Sequence, residues 1–413
     1  MEINLTKSRV SELALNLPKQ RAVKIVSELF AGNEAMTGWV GVPKSTTEET
    51  ISAIEKKAAE FKEKCTKCIV IGIGGSYLGA AAVVHALGGS KPGYPELRFA
   101  GHNLSGASQL HAVQQLRDNE TCLCMVSKSG STMEPMIAFS ILRDELVKKY
   151  GEEEAAKRIV VITDAEKGPL RAEARQKGYA SFTVPDNIGG RYSVLTAASL
   201  FPLAVAGVDI RAMLNGAAEI ADEKAWCSEE LQPKLMDYAL TRYSLLNKGK
   251  ELEIFEYYDP SMRYFGEWIK QLFAESEGKE GRGLFPVSLT LSTDLHSIGQ
   301  YLQEGRQFFF ETVINVTKKI DDVTIPESAG PLGGMSLNDI NQKAVEGVVA
   351  AHSKADIPVI QITLPVCDAY NVGQLMYFFE MTAAITAKLM RVDPFTQDGV
   401  EAYKHEIKRL LGI

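Results

Sequence analysis

The chain has 413 residues, of which 45% are hydrophobic and 23% charged, and its formal net charge is −7. This composition is typical of globular proteins and argues against disordered and fibrous classes. The length corresponds to two or three domains with a sizeable core. Because a mildly acidic surface repels phosphate backbones, we expect no nucleic-acid partner.

The cysteine pattern and the N-terminus bear on the compartment. Six cysteines are too few for a disulfide scaffold. Cys65 and Cys68 form one C-x-x-C pair without a second pair at metal-binding spacing, so we interpret them as residues leading into a buried strand. The N-terminus has no signal-peptide pattern, and no apolar run approaches the roughly 18 residues of a membrane span. We therefore expect a cytoplasmic protein with reduced thiols and no membrane association.

The first half of the chain alternates between helical and strand patterns. A capping box at Ser45–Glu48 predicts a helix that ends near Lys64. A further helix is predicted from about Thr132 to Lys149. Short apolar runs predict buried strands at 68–71, 121–126, 158–163 and 181–184. Strands separated by helices predict βαβ units and a parallel sheet with helices on both faces.

The alternation resumes after a mostly helical stretch at 208–248. Strands are predicted at 252–256, 284–288, 307–313 and 359–363, and an amphipathic helix at 399–411. We therefore expect an α/β protein with two three-layer αβα domains built on parallel sheets. The expected organisation is an N-terminal segment with the first domain (1–205), a second domain (206–392) and a C-terminal helix packing on the active site (393–413).

The first candidate site is the glycine-rich turn from Gly72 to Gly79, after the predicted strand at 68–71. Ligands of open α/β sheets bind beyond the carboxyl ends of strands, where glycines let the backbone approach and N–H groups face an anion. A loose G-x-G-x-x-G at Gly74–Gly79 makes a dinucleotide site the alternative, although the acidic ribose partner about 20 residues later is absent. A plain tight turn is a third interpretation.

The second candidate is the turn from Ser127 to Glu134, SKSGSTME, which has four hydroxyl groups and one lysine directly after a buried strand. Hydroxyl donors, backbone N–H groups and the positive end of a helix form a cradle for a dianion such as a phosphate monoester. The turn is not a Walker A loop. Helix capping by Ser131 or Thr132 is the structural alternative, but four hydroxyls exceed what a cap needs.

Other polar candidates follow along the chain. Arg191 stands behind two glycines and is suited to an oxyanion, or to a structural salt bridge. Glu275 and Glu277 lie at a helix end, where a carboxylate serves as a general base if burial raises its pKa, or is simply solvated. His296 starts a predicted helix, and a lone histidine is usually structural.

These segments together resemble the phosphoglucose isomerase (glucose-6-phosphate isomerase) family over about residues 38–411. DNIGGRYSVLTAAS at 186–199 and FTQDGVEAYK at 395–404 are similar to the two family signatures. IGIGGSYLGA, SKSGSTMEP and AESEGK are similar to further family blocks, in the same order. The resemblance implies two sugar-isomerase (SIS) domains with the active site between them.

The resemblance also implies the roles of individual residues in exchanging glucose 6-phosphate and fructose 6-phosphate. Glu275 is similar to the base that moves a proton between C1 and C2, and Arg191 to the arginine that stabilises the cis-enediol(ate). His296, supplied by the partner subunit of a homodimer in the family, and Lys404 resemble the ring-opening residues. The implied substrate-binding residues are Gly75, Ser76, Ser127, Lys128, Ser129, Thr132 and Gln397.

No cofactor is expected, and no Asp/Glu/His cluster with metal-ligand spacing is evident, which disfavours a metal-assisted hydride shift. The chain departs from the family at Thr396 and Asp398, which puts loop geometry in question, and it is shorter at the N-terminus. Three alternatives remain: a non-catalytic phosphosugar-binding regulator, an isomerase that acts on a different phosphosugar or a bifunctional one that also accepts mannose 6-phosphate, and a dinucleotide-dependent enzyme. Retention of Glu275 and Lys404 argues against the regulator.

Overall fold

The fold was analysed in a computed structural model that describes residues 1–228, 235–318 and 321–412. Its strands are β1 (Glu2–Asn4), β2 (Lys67–Ile71), β3 (Glu96–Ala100), β4 (Thr121–Val126), β5 (Ile159–Thr163), β6 (Ala180–Thr183), β7 (Leu252–Tyr257), β8 (Phe285–Thr290), β9 (Phe309–Lys318) and β10 (Val359–Val366). They form two five-stranded sheets, in the orders β3-β2-β4-β5-β6 and β1-β10-β9-β7-β8.

Helices cover both sheets and join them. They are α1 (Glu12–Ala31), α2 (Val42–Ser45), α3 (Glu48–Lys64), α4 (Leu78–Ala86), α5 (Gly106–Asp118), α6 (Met133–Tyr150), α7 (Glu152–Lys157), α8 (Pro169–Lys177), α9 (Ala197–Val205), α10 (Ile210–Ile220), α11 (Glu223–Cys227), α12 (Leu235–Asn247), α13 (Arg263–Glu277), α14 (Gly299–Glu304), α15 (Leu337–Lys354), α16 (Ala369–Leu389) and α17 (Gly399–Leu411). Short 3₁₀ turns include Gly74–Ser76, Gly190–Tyr192 and Thr293–His296. Among the described helices, none is long and apolar enough to cross a membrane.

The first sheet is wholly parallel, which confirms the prediction from its apolar runs. All residues of β4 and β5 are buried, as expected for strands covered by helices on both faces. β3 pairs with one edge of β2, and β4 with the other, so the winding direction reverses between β2 and β4. Loops at the carboxyl ends of such a strand pair form the ligand crevice of doubly wound sheets. The loops in question are Gly72–Ser76 and Ser127–Thr132.

The second sheet is parallel except for β1, which pairs antiparallel with β10 through Ile3 and Ile362. α1 also packs against α12 and α16, which belong to the second half. The N-terminal segment therefore contributes a strand to the second sheet and a helix that packs on the second half, although it was grouped with the first domain in the prediction. The division near residue 205 stays a prediction.

α16 is the centre of the second half. Almost every residue from Asn371 to Leu389 is buried, and the helix packs against α10, α12 and α13. α13 packs against both α16 and α4, and α4 follows the first glycine-rich turn. Burial of apolar side chains across this contact joins the two halves and fixes the end of α13 beside the loops of the first sheet.

Two local predictions have clear outcomes. The N-cap of α3 is Thr47, whose hydroxyl accepts a hydrogen bond from the Thr50 N–H at 3.3 Å, so the predicted capping box at Ser45 is wrong. The reason is that Val42–Ser45 forms its own short helix. Cys65 and Cys68 are free and buried, and Cys68 lies within β2, which confirms their interpretation as residues leading into a buried strand.

Candidate active site

The first and third glycine-containing turns pack against each other. A Cβ atom on Gly75 would lie 2.0 Å from the Gly190 carbonyl oxygen, so a side chain at this position would force the two turns apart. Gly74 adopts a left-handed backbone conformation with φ of +56°. The Gly75–Ser76 pair is therefore held directly beside Arg191.

Arg191 is buried, with only 2% of its side chain exposed. Nη1 donates to Glu275 Oε2 at 3.2 Å and to Gln397 Oε1 at 2.7 Å. Nε donates to Ser276 Oγ at 3.1 Å. Nη2 donates to the carbonyl oxygens of Pro394 and Thr396 at 2.5 and 2.8 Å. All five guanidinium donors are engaged, which fixes the plane and position of the positive charge.

Glu275 lies in the last turn of α13, with 31% of its side chain exposed. Oε1 accepts a hydrogen bond from Gln271 Nε2 at 3.2 Å, and Oε2 contacts Arg191. By contrast, Glu277 is fully buried and pairs with Arg242, with Oε1 2.6 Å from Nη1. The two glutamates, which are alike by residue type and position at the helix end, therefore face different surroundings, and only Glu275 combines contact with Arg191 and access to solvent.

Aromatic packing supports this arrangement. The Tyr192 hydroxyl lies 2.9 Å from Ser276 Oγ. Trp39 stacks on Tyr192 with ring centroids 4.7 Å apart, and Phe395 meets Tyr192 edge-on at 5.5 Å. These contacts hold the Gly190–Tyr192 turn, the end of α13 and the loop at 393–397 together.

The hydroxyl-rich loop at Ser127–Thr132 joins β4 to α6. The buried Ser127 accepts a hydrogen bond at Oγ from the Gly130 N–H at 3.1 Å. Ser129 Oγ accepts from the Ser131 N–H at 3.3 Å and lies 3.5 Å from Thr132 Oγ1. Thr132 occupies the N-cap of α6, yet among the described residues its side chain makes no capping hydrogen bond. The first N–H groups of α6 thus lack the side-chain acceptor that the capping alternative requires.

Lys128 connects this loop to the segment before Arg191. Its Nζ donates to the carbonyl oxygens of Asp186 and Ile188 at 2.6 and 2.9 Å. Partial burial lowers the pKa of Lys128 from its usual value, whereas Asp186 and Asp164 oppose that change. Lys128 therefore links the loop after β4 to the loop that carries Arg191.

His296 and Lys404 are placed apart from this cluster in the single chain. His296 is exposed at the end of the Thr293–His296 turn that follows β8. Lys404 is 46% exposed on α17, and its Nζ pairs with Glu401 Oε1 at 2.8 Å. Within the described residues, no hydrogen bond or ion pair joins either side chain to Glu275 or Arg191. Of the sequence-predicted residues, direct contacts join Arg191, Glu275, Gln397 and Gly75.

α17 itself makes almost no contact with the rest of the chain. Every residue from Glu401 to Gly412 is exposed, and Val400 is half-buried. Contacts to Arg191 come instead from the loop before the helix, at Pro394, Thr396 and Gln397. Packing of the C-terminal helix on the active site therefore stays a prediction.

Lys279 was not identified by sequence analysis. Its Nζ donates to the Ser276 carbonyl at 3.1 Å and to the Asp393 carbonyl, so it connects the end of α13 to the C-terminal loop. Partial burial and the neighbouring Arg191 charge lower the pKa of Lys279 to about 8, against the opposing effect of Asp393. Sequence offered no signal for this role, because both acceptors are backbone carbonyls.

The family departures at Thr396 and Asp398 have limited consequences for the arginine. Thr396 contacts Arg191 only through its backbone carbonyl, so the identity of its side chain does not enter this hydrogen bond. Asp398 occupies the N-cap position of α17 without a side-chain capping bond among the described residues. The loop therefore retains the acceptors that orient Arg191.

Sequence spacing does not indicate a cluster of metal-ligating residues, but the fold brings three such residues together. Glu256, Glu311 and His352, which are far apart in the chain, meet on the second sheet. They lie in the core that α15 covers, whereas α13 covers the opposite face of the same sheet. This cluster is thus separate from Arg191 and Glu275.

The sequence of this chain is similar to those of known glucose-6-phosphate isomerases. The sequence profile described as phosphoglucose isomerase matches residues 2–320. The chain is 43% identical over 392 residues to a glucose-6-phosphate isomerase from Staphylococcus saprophyticus, covering 92% of this chain and 88% of that protein. It is also 43% identical over 390 residues to a glucose-6-phosphate isomerase from Clostridioides difficile, covering 91% and 86% respectively.

Solved structures agree with the sequence matches. A hypothetical protein from Thermus thermophilus superimposes with a TM-score of 0.90 at 28% identity, over 99% of both chains. A glucose-6-phosphate isomerase from Chlamydia trachomatis superimposes with a TM-score of 0.80 at 20% identity, covering 99% of this chain and 88% of that one, and shows the same fold. The chain belongs to the phosphoglucose isomerase family.

Proposed function

We propose that the protein catalyses the reversible isomerisation of D-glucose 6-phosphate and D-fructose 6-phosphate through a cis-enediol intermediate. The reaction belongs to glycolysis and gluconeogenesis, in the cytoplasm. The observation that carries this proposal is the pairing of Glu275, partly open to solvent, with the buried and fully hydrogen-bonded Arg191. A base and a fixed positive charge at one position are what aldose–ketose exchange needs.

Glu275 is the base in this proposal. In the open-chain aldose, the carboxylate removes the proton from C2, and the carboxyl group, which is partly open to solvent, then delivers a proton to C1 while O1 and O2 exchange hydroxyl and carbonyl character. The contact between Oε2 and Arg191 Nη1 holds one carboxylate oxygen beside the fixed positive charge. The hydrogen bond from Gln271 fixes the orientation of the other carboxylate oxygen.

Arg191 supplies charge stabilisation. Negative charge develops on the enediolate oxygens when the proton leaves carbon, and a cation already held in place stabilises that charge without reorganising. The carbonyl groups of Pro394 and Thr396 and the Ser276 hydroxyl hold the guanidinium from the protein side. Substrate oxygens then compete only for the Nη1 edge, which faces Glu275 and Gln397.

The phosphate group is assigned to the loop at Ser127–Thr132, with Gly75 and Ser76 beside the sugar. Hydroxyl groups and the uncapped N-terminus of α6 suit a dianion. Binding the phosphate at a distance from the reacting carbons gives orientation that a free sugar would lack. Lys128 adds a positive charge and ties this loop to the segment carrying Arg191.

We also propose that the active enzyme is a homodimer in which His296 comes from the partner subunit. α17 presents an apolar stripe to solvent, formed by Tyr403, Ile407, Leu410 and Leu411, and the half-buried Val400 lies at its start. An isolated amphipathic helix is marginal in water, so this stripe needs a covering surface. His296 and Lys404 are exposed in the single chain, which fits the same arrangement. Both residues would then act in ring opening, a step that moves a proton from O1 to O5.

A coupled assay tests the activity: fructose 6-phosphate is supplied and glucose 6-phosphate is detected, with EDTA present. We expect robust turnover in EDTA, and a parallel assay with mannose 6-phosphate tests the bifunctional alternative. Binding of fructose 6-phosphate without turnover would instead support the regulator. Turnover only of another phosphosugar would replace the substrate assignment while leaving the site intact.

A further inference from the structure

A cluster of buried ligating groups lies on the face of the second sheet that α15 covers. Glu256 on β7 and Glu311 on β9 are fully buried, and His352 on α15 is 3% exposed. One ligating atom from each residue lies within 4.8 Å of the other two. Their surroundings are apolar and include Ile254, Leu302, Phe309, Val313 and Val349.

The hydrogen bonds of this cluster are incomplete. His352 Nδ1 lies 2.9 Å from the Glu311 carboxylate. Both carboxylate oxygens of Glu256 are buried without a hydrogen-bond partner among the described residues. The hydroxyl of Tyr258, two residues further along the chain and in the same core, is also buried and unpartnered within that set. Buried carboxylates without partners are costly, so a positive charge bound between these groups would stabilise the cluster.

The opposite face of the same sheet shows how this chain buries two acids when a cation is present. Glu253 and Glu277 both pair with Arg242, at 2.7 and 2.6 Å. Glu253 also accepts hydrogen bonds from Tyr238 and Thr312, each at 2.7 Å. The cluster around Glu256 has the same number of carboxylates, but among the described residues it has an imidazole in place of the arginine and fewer donors.

We propose that Glu256, Glu311 and His352 bind a divalent transition-metal ion, zinc being the best match, at a structural site. Two carboxylate oxygens and one imidazole nitrogen suit zinc, and the mixed donor set disfavours calcium and magnesium. Two carboxylates, a neutral imidazole and a divalent ion sum to zero charge, which removes the cost of burial. The Tyr258 hydroxyl or a water completes the coordination.

Such an ion would join β7, β9 and α15, which are separated by long stretches of chain. Because α13 and Glu275 lie on the other side of the sheet, the ion has no part in proton transfer. The proposal is thus independent of the isomerase assignment. It predicts a protein whose turnover is unaffected by brief exposure to EDTA but whose unfolding temperature depends on bound metal.

Metal analysis of the purified full-length protein, expressed with zinc in the medium, tests the site directly. We expect about one zinc per chain. The Glu256→Gln variant keeps the side-chain volume and removes one anionic ligand, so its zinc affinity should fall about tenfold or more. Glu380→Gln is the matched control, because Glu380 is also buried with an unpartnered oxygen among the described residues but lies on α16, outside the cluster. This control should keep its zinc.

A second measurement does not depend on the variants folding. The wild-type protein is stripped of metal with a chelator, and unfolding temperature and visible absorption are recorded as ZnCl₂ or CoCl₂ is added. Recovery of the unfolding temperature with zinc and d–d absorption bands with cobalt are expected. If zinc, cobalt and manganese all leave the unfolding temperature of the metal-free wild-type protein unchanged, the proposal is overturned. In that case, a Glu256→Gln variant more stable than wild type would identify the cluster as protonated carboxyl groups.

Discussion

Arg191 Nη1 lies 3.2 Å from Glu275 Oε2, and the two residues come from different halves of the chain. Arg191 follows β6 of the first sheet, whereas Glu275 ends a helix that packs across both halves. Their contact is therefore a product of the packing of α13 against α4. Any substitution that shifts this packing should affect proton transfer before it affects phosphosugar binding.

Arg191→Lys should lower kcat by about 100- to 1000-fold with a smaller change in KM. Lysine keeps the charge but cannot reproduce five donors in one plane, so the charge loses its fixed position. Steady-state kinetics checks this prediction, with Arg211→Lys as a control because Arg211 is partly exposed and pairs with Glu48 and Glu55. Similar kcat values for the two variants would remove Arg191 from the mechanism.

Thr132→Val should raise the KM for fructose 6-phosphate about tenfold while leaving the unfolding temperature nearly unchanged. The reason is that the Thr132 hydroxyl makes no capping bond in the described chain and is therefore available to the phosphate. Ser105→Ala is the matched control, because Ser105 does cap α5 by accepting from the Ser108 N–H. That variant should lose about 1 kcal/mol of stability and keep its KM. The reverse pattern would make Thr132 a structural cap.

The lowered pKa of Lys279 predicts how the free energy of unfolding changes with pH. Its pKa is lowered to about 8 in the folded protein from an ordinary value of 10.5. Between these values the unfolded chain holds a proton that the native state has released, so this residue makes the free energy of unfolding rise with pH from about 8 to about 10.5. Urea unfolding across this range should show a steeper rise for wild type than for Lys279→Met. Parallel curves would mean that Lys279 titrates normally.

The shared site can be tested by mixing two defective proteins. Glu275→Gln and His296→Ala are purified separately, mixed, and allowed to exchange subunits. If His296 acts across the interface, each hybrid dimer contains one intact site. Random exchange makes half of the dimers hybrids, so activity should approach about one quarter of the wild-type value. Activity no higher than that of the separate variants, with exchange demonstrated, would place both residues in one subunit's site.

Much of the fold was predictable because buried parallel strands carry continuous apolar runs. β2, β4 and β5 were identified on this basis. β3 was missed because its residues alternate between buried and exposed, and β1 because three residues gain strand structure only by pairing with β10. Long-range pairing of this kind leaves no local pattern in the sequence.

The candidate site was also predictable from the sequence only in part. Arg191 and the hydroxyl-rich loop stand out by residue type, whereas Glu275 and Glu277 are alike in sequence and are separated only by which face of α13 meets Arg242. The carbonyl acceptors around Arg191 and Lys279 were not predictable, because every residue has a backbone carbonyl. The cluster of Glu256, Glu311 and His352 has no spacing pattern along the chain, because its members come together only through the pairing of β7 with β9 and the packing of α15.

The most direct test of the mechanism is turnover of fructose 6-phosphate in D₂O, with mass and NMR analysis of the glucose 6-phosphate formed. Proton transfer by Glu275 predicts deuterium at C2 of the product for wild type, and loss of turnover with retained binding for Glu275→Gln. Glu267→Gln is the control on the same helix, because Glu267 pairs with Lys270. Near-normal turnover by Glu275→Gln, with substrate binding retained, would contradict the account.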